Sequence, residues 1–80
     1  MNTQEAVVKR FIELTKERGL SIRGLAYVSG ISPSTVKNIF NGASQNPGIV
    51  TIKKLCDGLG ITLTEFFDTD TFRTLEQEIQ

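Results

Sequence analysis

The run Leu25-Ala26-Tyr27-Val28-Ser29-Gly30-Ile31-Ser32-Pro33-Ser34-Thr35-Val36-Lys37-Asn38-Ile39 decides the fold. Ser32 followed by Pro33 is a strong helix start. The serine oxygen can accept an orphan N–H of the first turn, and proline at the first helical position lacks only an N–H that would have no partner there. Val36, Ile39 and Phe40 then recur on one side, and Asn41-Gly42 is a stop signal. Upstream, Ser21 caps a helix running to about Ser29, with Ile22, Leu25, Ala26 and Val28 turned inward. Gly30 supplies the positive φ that a tight turn needs. Ala26 is small enough for the two helices to approach closely, and Ile31 plugs the angle between them. The reading is two short helices joined at a sharp turn.

The same grammar extends outward in both directions. Asn2 or Thr3 can cap a first helix running to about Arg18, with Val7, Phe11 and Leu14 on its buried stripe and Val8 and Ile12 widening it. Lys16 and Arg18 in its last turn complement the helix dipole. Residues 42–50 (GASQNPGIV) read as a polar loop, long enough to suggest a functional one. A fourth helix is expected from about Thr51 to Leu59, burying Ile52, Leu55, Cys56 and Leu59. Thr62 and Glu65 form a capping box for a short fifth, which carries Leu63, Phe66 and Phe67. Beyond Asp70, the positions Phe72, Leu75 and Ile79 predict an amphipathic stretch of about two and a half turns, too short to hold alone in water. The expectation is an all-α, compact five-helix domain over residues 1–68, followed by a short amphipathic tail over residues 69–80.

Eighty residues hold one domain. There is no histidine, which removes imidazole acid–base chemistry, histidine metal ligation and every histidine-containing triad. No nucleophile–base pair or metal cluster stands in its place, so neither an enzyme nor a cofactor is expected. No apolar run is long enough for a membrane span, and the N-terminal residues have no signal-peptide layout. The lone Cys56 suits a reducing, cytoplasmic setting and reads as a small core residue without a basic neighbour to activate it. Net charge is zero, but unevenly arranged. Residues 1–54 hold eight cations against three carboxylates, a net +5, and residues 55–80 hold one cation against six, a net −5. The first part could therefore face phosphate.

The third helix leaves Pro33, Ser34, Thr35, Lys37, Asn38 and Asn41 outward, short polar groups plus one cation and no carboxylate. Such a helix fits a DNA major groove, about 12 Å wide. Together with the later NPGIVTIKKLCDGLGITLTEFF, the run GLSIRGLAYVSGISPSTVKNIFNG resembles the phage-repressor/Cro-like helix-turn-helix family, also called the xenobiotic-response-element family. The resemblance spans roughly residues 5–67, and the second run makes it specific because it carries the fourth and fifth helices of that fold.

The resemblance implies a sequence-specific transcriptional regulator of double-stranded DNA, a repressor that occupies an operator. It implies base contacts from Ser32, Pro33, Ser34, Lys37 and Asn38. Chemistry ranks them: Asn38 can pair with adenine in bidentate fashion, Ser34 reads several bases, Lys37 reaches guanine or phosphate, and Pro33 offers carbon to a thymine methyl. As a bare helix position, Asn38 would be merely solvated. Phosphate contacts are implied for Ser21, Arg23, Thr35, Asn41, Ser44, Gln45, Asn46, Thr51 and Lys53. Ile22 stands where the family commonly has a donating Gln, which leaves that contact to Arg23. Such modules usually act as homodimers on palindromic sites. Phe72, Leu75 and Ile79, with Phe66 or Phe67, are the candidate pairing surface in the C-terminal third, and the acidic residues around them would keep this end pointing away from DNA. The alternative for the tail is folding back on the core. The alternative for the whole chain is a protein-interaction module of the same fold, such as a toxin-neutralising partner, which large apolar groups on the outer face of the third helix would favour.

Overall fold

Side-chain caps set most of the helix starts. Asn2 Oδ1 accepts from the Glu5 N–H at 2.8 Å while Glu5 Oε1 accepts from the Asn2 N–H at 3.0 Å, which opens α1 (Thr3–Glu17). Ser21 opens α2 (Ile22–Ser29) and Ser32 opens α3 (Pro33–Phe40). A reciprocal box between Thr62 and Glu65 opens α5 (Leu63–Phe67), and Thr69 opens α6 (Asp70–Arg73). The exception is α4 (Ile49–Leu59), whose N-cap, Gly48, has no side chain to cap with, and whose first residue lies two before Thr51, where the sequence points. Ile49 and Val50 in its first turn are exposed, so no amphipathic stripe marks them as helical. The computed structural model describes residues 1–79, so Gln80, the last position of the predicted tail, lies outside the described residues.

Phe11, Leu25, Val36, Ile39, Leu55, Cys56 and Phe66 are fully buried at the centre, one or more from each of α1 to α5. The expected stripes of α1 and α4 are the buried ones. On α2 the expectation fails at one position: Val28 is half out in solvent and Ser29 is buried in its place. The reason is the crossing of α4. A Cβ added at Gly58 would lie 2.2 Å from Ser29 Oγ and 3.2 Å from Ser29 Cα, so only glycine lets the two backbones come this close. At Gly30, φ is +68°, and its N–H returns to the carbonyls of α2 to close the turn.

Two arginines hold the ends of other helices. Arg10 Nε and Nη2 donate to the carbonyls of Phe66 (2.8 Å) and Glu65 (2.9 Å), satisfying the last turn of α5. Arg18 Nε donates to the Leu59 carbonyl at the end of α4, 2.7 Å away. Helix C-termini collect orphan carbonyls and negative dipole charge, so guanidinium groups are well suited there.

The C-terminal stretch departs from expectation. In place of two and a half amphipathic turns there are four helical residues, after which 74–79 run without regular structure. Phe72 folds back, its ring centroid 5.8 Å from that of Phe66 and 4.9 Å from that of Phe67. Phe11 and Phe66 are 4.4 Å apart, so four rings close this end of the core. Of the predicted pairing surface Phe66 is wholly buried, Phe67, Phe72 and Leu75 are half-buried and Ile79 is fully out in solvent. Once Phe72 has a place on the core, nothing requires α6 to continue.

Candidate nucleic-acid interface

At the start of α3 three hydroxyls are gathered around the cap. Ser32 Oγ accepts from the Thr35 N–H at 3.3 Å and lies 2.8 Å from Thr35 Oγ1 and 3.3 Å from Ser34 Oγ. Pro33 occupies the first turn and is exposed with them. One turn on, Lys37 and Asn38 lie above Ser34 at i+3 and i+4, the spacing that puts side chains on one face of a helix. All five positions predicted to touch bases, Ser32, Pro33, Ser34, Lys37 and Asn38, are exposed, while Val36 and Ile39 on the opposite face are buried. Neither Lys37 nor Asn38 has a side-chain partner among the described residues, so both polar ends are available.

The loop after α3 is tied back to it. The Ser44 N–H donates to the Asn38 carbonyl at 3.0 Å. Asn41 Oδ1 accepts from the Ala43 N–H at 2.9 Å, and Gln45 Nε2 donates to the Gly42 carbonyl at 2.8 Å. Thr35, Asn38, Ala43 and Ser44 consequently line one shallow cleft of about 290 Å³, which joins the outer face of α3 to the loop. The internal bonds leave Asn41 an amide N–H₂ to donate and Gln45 a free oxygen. Asn46 is exposed, and Thr51 sits half-buried in the first turn of α4.

At the start of α2, Ser21 Oγ accepts from the Gly24 N–H at 3.0 Å, which leaves the N–H groups of Ile22 and Arg23 pointing out of the helix end. A Cβ at Gly24 would stand 3.3 Å from that same oxygen, so glycine there keeps the cap uncrowded. Arg23 is exposed and has no partner among the described residues.

The cations divide into two groups that composition alone cannot separate. Arg10 and Arg18 are spent on carbonyls, Lys9 pairs with Glu13, and Lys53 pairs with Asp57 one turn along α4. Lys16, Arg23, Lys37 and Lys54 have no intramolecular partner among the described residues. Lys53, predicted as a phosphate ligand, is therefore already engaged by a carboxylate, and Lys54 beside it is the unengaged cation of α4. The i,i+4 spacing of Lys53 and Asp57 carries that signal in the sequence itself.

Burial pushes the Cys56 thiol above its ordinary value, and the positive charges of Lys53 and Arg10 oppose that rise without cancelling it. Basic neighbours thus do exist, contrary to the sequence reading, but the dry surroundings outweigh them. Among the described residues no group of three or more potential ligands is placed to hold a metal ion, and no helix is long and apolar enough to cross a membrane.

Comparison with known proteins agrees with this geometry. The family model described as helix-turn-helix matches residues 12–66. The HTH-type transcriptional regulator SlrR of Bacillus subtilis is 39% identical over 66 residues, which cover 81% of this chain and 43% of that protein. The HTH-type transcriptional regulator PuuR of Escherichia coli is 37% identical over 59 residues, 74% of this chain and 31% of that protein. The chain thus spans less than half the length of these curated relatives. Among solved structures, the prophage Lp1 protein 11 superimposes with a TM-score of 0.79 at 37% identity, over 94% of this chain and all of that one. An HTH_3 family transcriptional regulator from Vibrio cholerae gives a TM-score of 0.74 at 31% identity, over 80% of this chain and 35% of that one. With its turn at Gly30, its capped α3 and a family match that runs through α5, the chain belongs to the Cro-like helix-turn-helix family.

Proposed function

We propose that the chain is a cytoplasmic, sequence-specific regulator of transcription, a repressor, that seats α3 in the major groove of double-stranded DNA. One observation carries the reading: the outer face of α3 is exposed, carboxylate-free and ready to donate and accept hydrogen bonds through Ser34, Lys37 and Asn38. The names of the two curated relatives, both HTH-type transcriptional regulators, support it. Asn38 reads adenine, Ser34 and Ser32 make shorter contacts, Lys37 reaches guanine or phosphate, and Pro33 packs on a thymine methyl. Two anchors fix the register on the backbone. The first is the α2 N-terminus with Ser21 and Arg23. The second is Thr35, Asn41 and the 44–46 loop with Thr51, joined by Lys53 when it exchanges Asp57 for phosphate. Residues 1–68 form the DNA-binding unit and 69–80 its C-terminal appendage.

Repression by such a module is steric, since occupying an operator excludes other proteins from it. Two copies meeting through the C-terminal third, where Phe67, Phe72, Leu75 and Ile79 are the apolar groups at least partly exposed, would present two α3 helices to a palindromic site about 34 Å apart. Sedimentation of the free chain and of its DNA complex tests that pairing: one copy per site contradicts it.

Titrating a mixed-sequence duplex with the chain at two salt concentrations tests the DNA reading. Affinity should fall steeply as salt rises, because phosphate contacts release counterions. Affinity that does not change with salt contradicts it.

A further inference from the structure

The acidic end of the chain does not point away from the DNA-facing side. After α6 stops at Arg73 the backbone turns back along the N-terminal half of α1, where Glu76 Oε1 lies 3.5 Å from the Met1 amino nitrogen. Two residues later, Glu78 lines a cleft of about 340 Å³ together with Gln4, Gln45, Asn46, Pro47 and Ile52. Gln45 and Asn46 belong to the loop assigned above to phosphate contact.

Two features make this placement consequential. Glu78 is the only formally charged residue lining that cleft, and it has no ion-pair partner among the described residues. The loop from Asn41 to Gly48 contains no Lys or Arg and can hold phosphate only through amides, hydroxyls and backbone N–H groups. A neutral anchor has no charged side chain of its own to offset the Glu78 carboxylate.

We propose that residues 74–79 act as an electrostatic brake on DNA binding, with Glu78, which lines the same cleft as the 45–47 loop, repelling the phosphates that the loop engages. The proposal rests on the DNA-binding reading above. The brake is local: it works within roughly one Debye length, about 8–10 Å at physiological salt. A partner or a second copy that drew the tail aside would tighten binding without touching α3.

The test uses the full chain and one mixed-sequence duplex of about 20 base pairs, a little under two turns of DNA. Wild type, Glu78→Gln and Asp70→Asn are compared by fluorescence anisotropy at low and high salt. Both variants remove one negative charge, but Asp70 is exposed on α6 and does not line the cleft. Thermal melting should be the same for wild type and Glu78→Gln, and Asp70→Asn should lose only its exposed ion pair with Arg73. Glu78→Gln should bind about two- to fivefold tighter than wild type at low salt, with the gap closing at high salt as screening shortens the interaction. Glu78→Lys should go further in the same direction, and Asp70→Asn should match wild type. Equal affinities for wild type and Glu78→Gln overturn the brake while leaving DNA binding intact. An equal gain from Asp70→Asn also overturns it, since net charge alone would then explain the effect. If no form binds the duplex at low salt, the DNA-binding reading falls and the brake with it.

Discussion

Two regions of this small domain use the same helical chemistry for opposite ends. On the outer face of α3, Ser34, Lys37 and Asn38 are exposed, and the side chains of Lys37 and Asn38 have no partner among the described residues. At the aromatic end, Phe11, Phe66, Phe67 and Phe72 close on one another while Arg10 bonds the carbonyls behind them. The crossing of α2 by α4 at Ser29 and Gly58 is of the second kind. The difference teaches where changes should be felt. Substitutions on the outer face of α3 should alter binding and leave folding alone, and substitutions at the aromatic end or the crossing should do the reverse.

The largest expected effect is Phe66→Ala, which opens a cavity among four rings. It should cost about 3–5 kcal/mol, much of the stability expected of a domain this size. Urea titration followed by circular dichroism checks it, and a loss below about 1 kcal/mol would mean that the ring cluster is not a structural unit. Next comes Gly58→Ala, where the new methyl meets Ser29 Oγ, Val28 Cγ2 and Ser29 Cα at 2.2, 3.1 and 3.2 Å. Overpacking of this kind costs about 1–3 kcal/mol. Adding Ser29→Ala should recover part of the loss, because the oxygen goes while the backbone stays.

Asn38→Ala breaks the comparison from the other side. Its melting curve should superimpose on that of wild type, while discrimination at one base position falls by about 1–3 kcal/mol in a panel of substituted duplexes. A drop in stability without a change in base preference would make Asn38 a structural residue. Smaller still is Ser29→Ala alone. The Ser29 hydroxyl is buried with no hydrogen-bond partner among the described residues, so its removal should leave stability within about 1 kcal/mol of wild type or raise it.

The last prediction concerns pH. Because burial raises the Cys56 thiol above its ordinary value, its contribution is fully present below that ordinary value and is lost as pH rises through the folded one. Stability should therefore decline in alkaline buffer above about pH 9, and Cys56→Ala should flatten that limb.

Much of this was legible in the residues. Ser21, Ser32, Asn2 and the Thr62–Glu65 box announce four helix starts through short-range chemistry that needs no tertiary contact, and the exposed face of α3 follows from its period. What escaped depends on distant partners. Nothing local says that α4 crosses α2 closely enough to bury Ser29 and release Val28, since that requires Gly58 to meet residues about 30 positions away. In the sequence Arg10 is only one of the cations of residues 1–54 and Arg18 only a complement to its own helix dipole, because their carbonyl partners lie in helices far along the chain. The start of α4 is hidden for the opposite reason: Gly48 offers no capping side chain, and Ile49 and Val50 face solvent. In the tail, the period of Phe72, Leu75 and Ile79 predicts a longer helix, but periodicity carries no information on the docking of Phe72 against Phe66 and Phe67.

The central claim is that α3 and its two flanking anchors form the surface that meets DNA. Recording the backbone amide spectrum of the labelled chain while duplex DNA is added tests this most directly. The largest shifts should fall at Ser32–Asn38, with smaller ones at Ser21–Arg23 and Ser44–Asn46, and little change along α5 and α6. Shifts concentrated at α5 and α6, with α3 unmoved, would contradict the account.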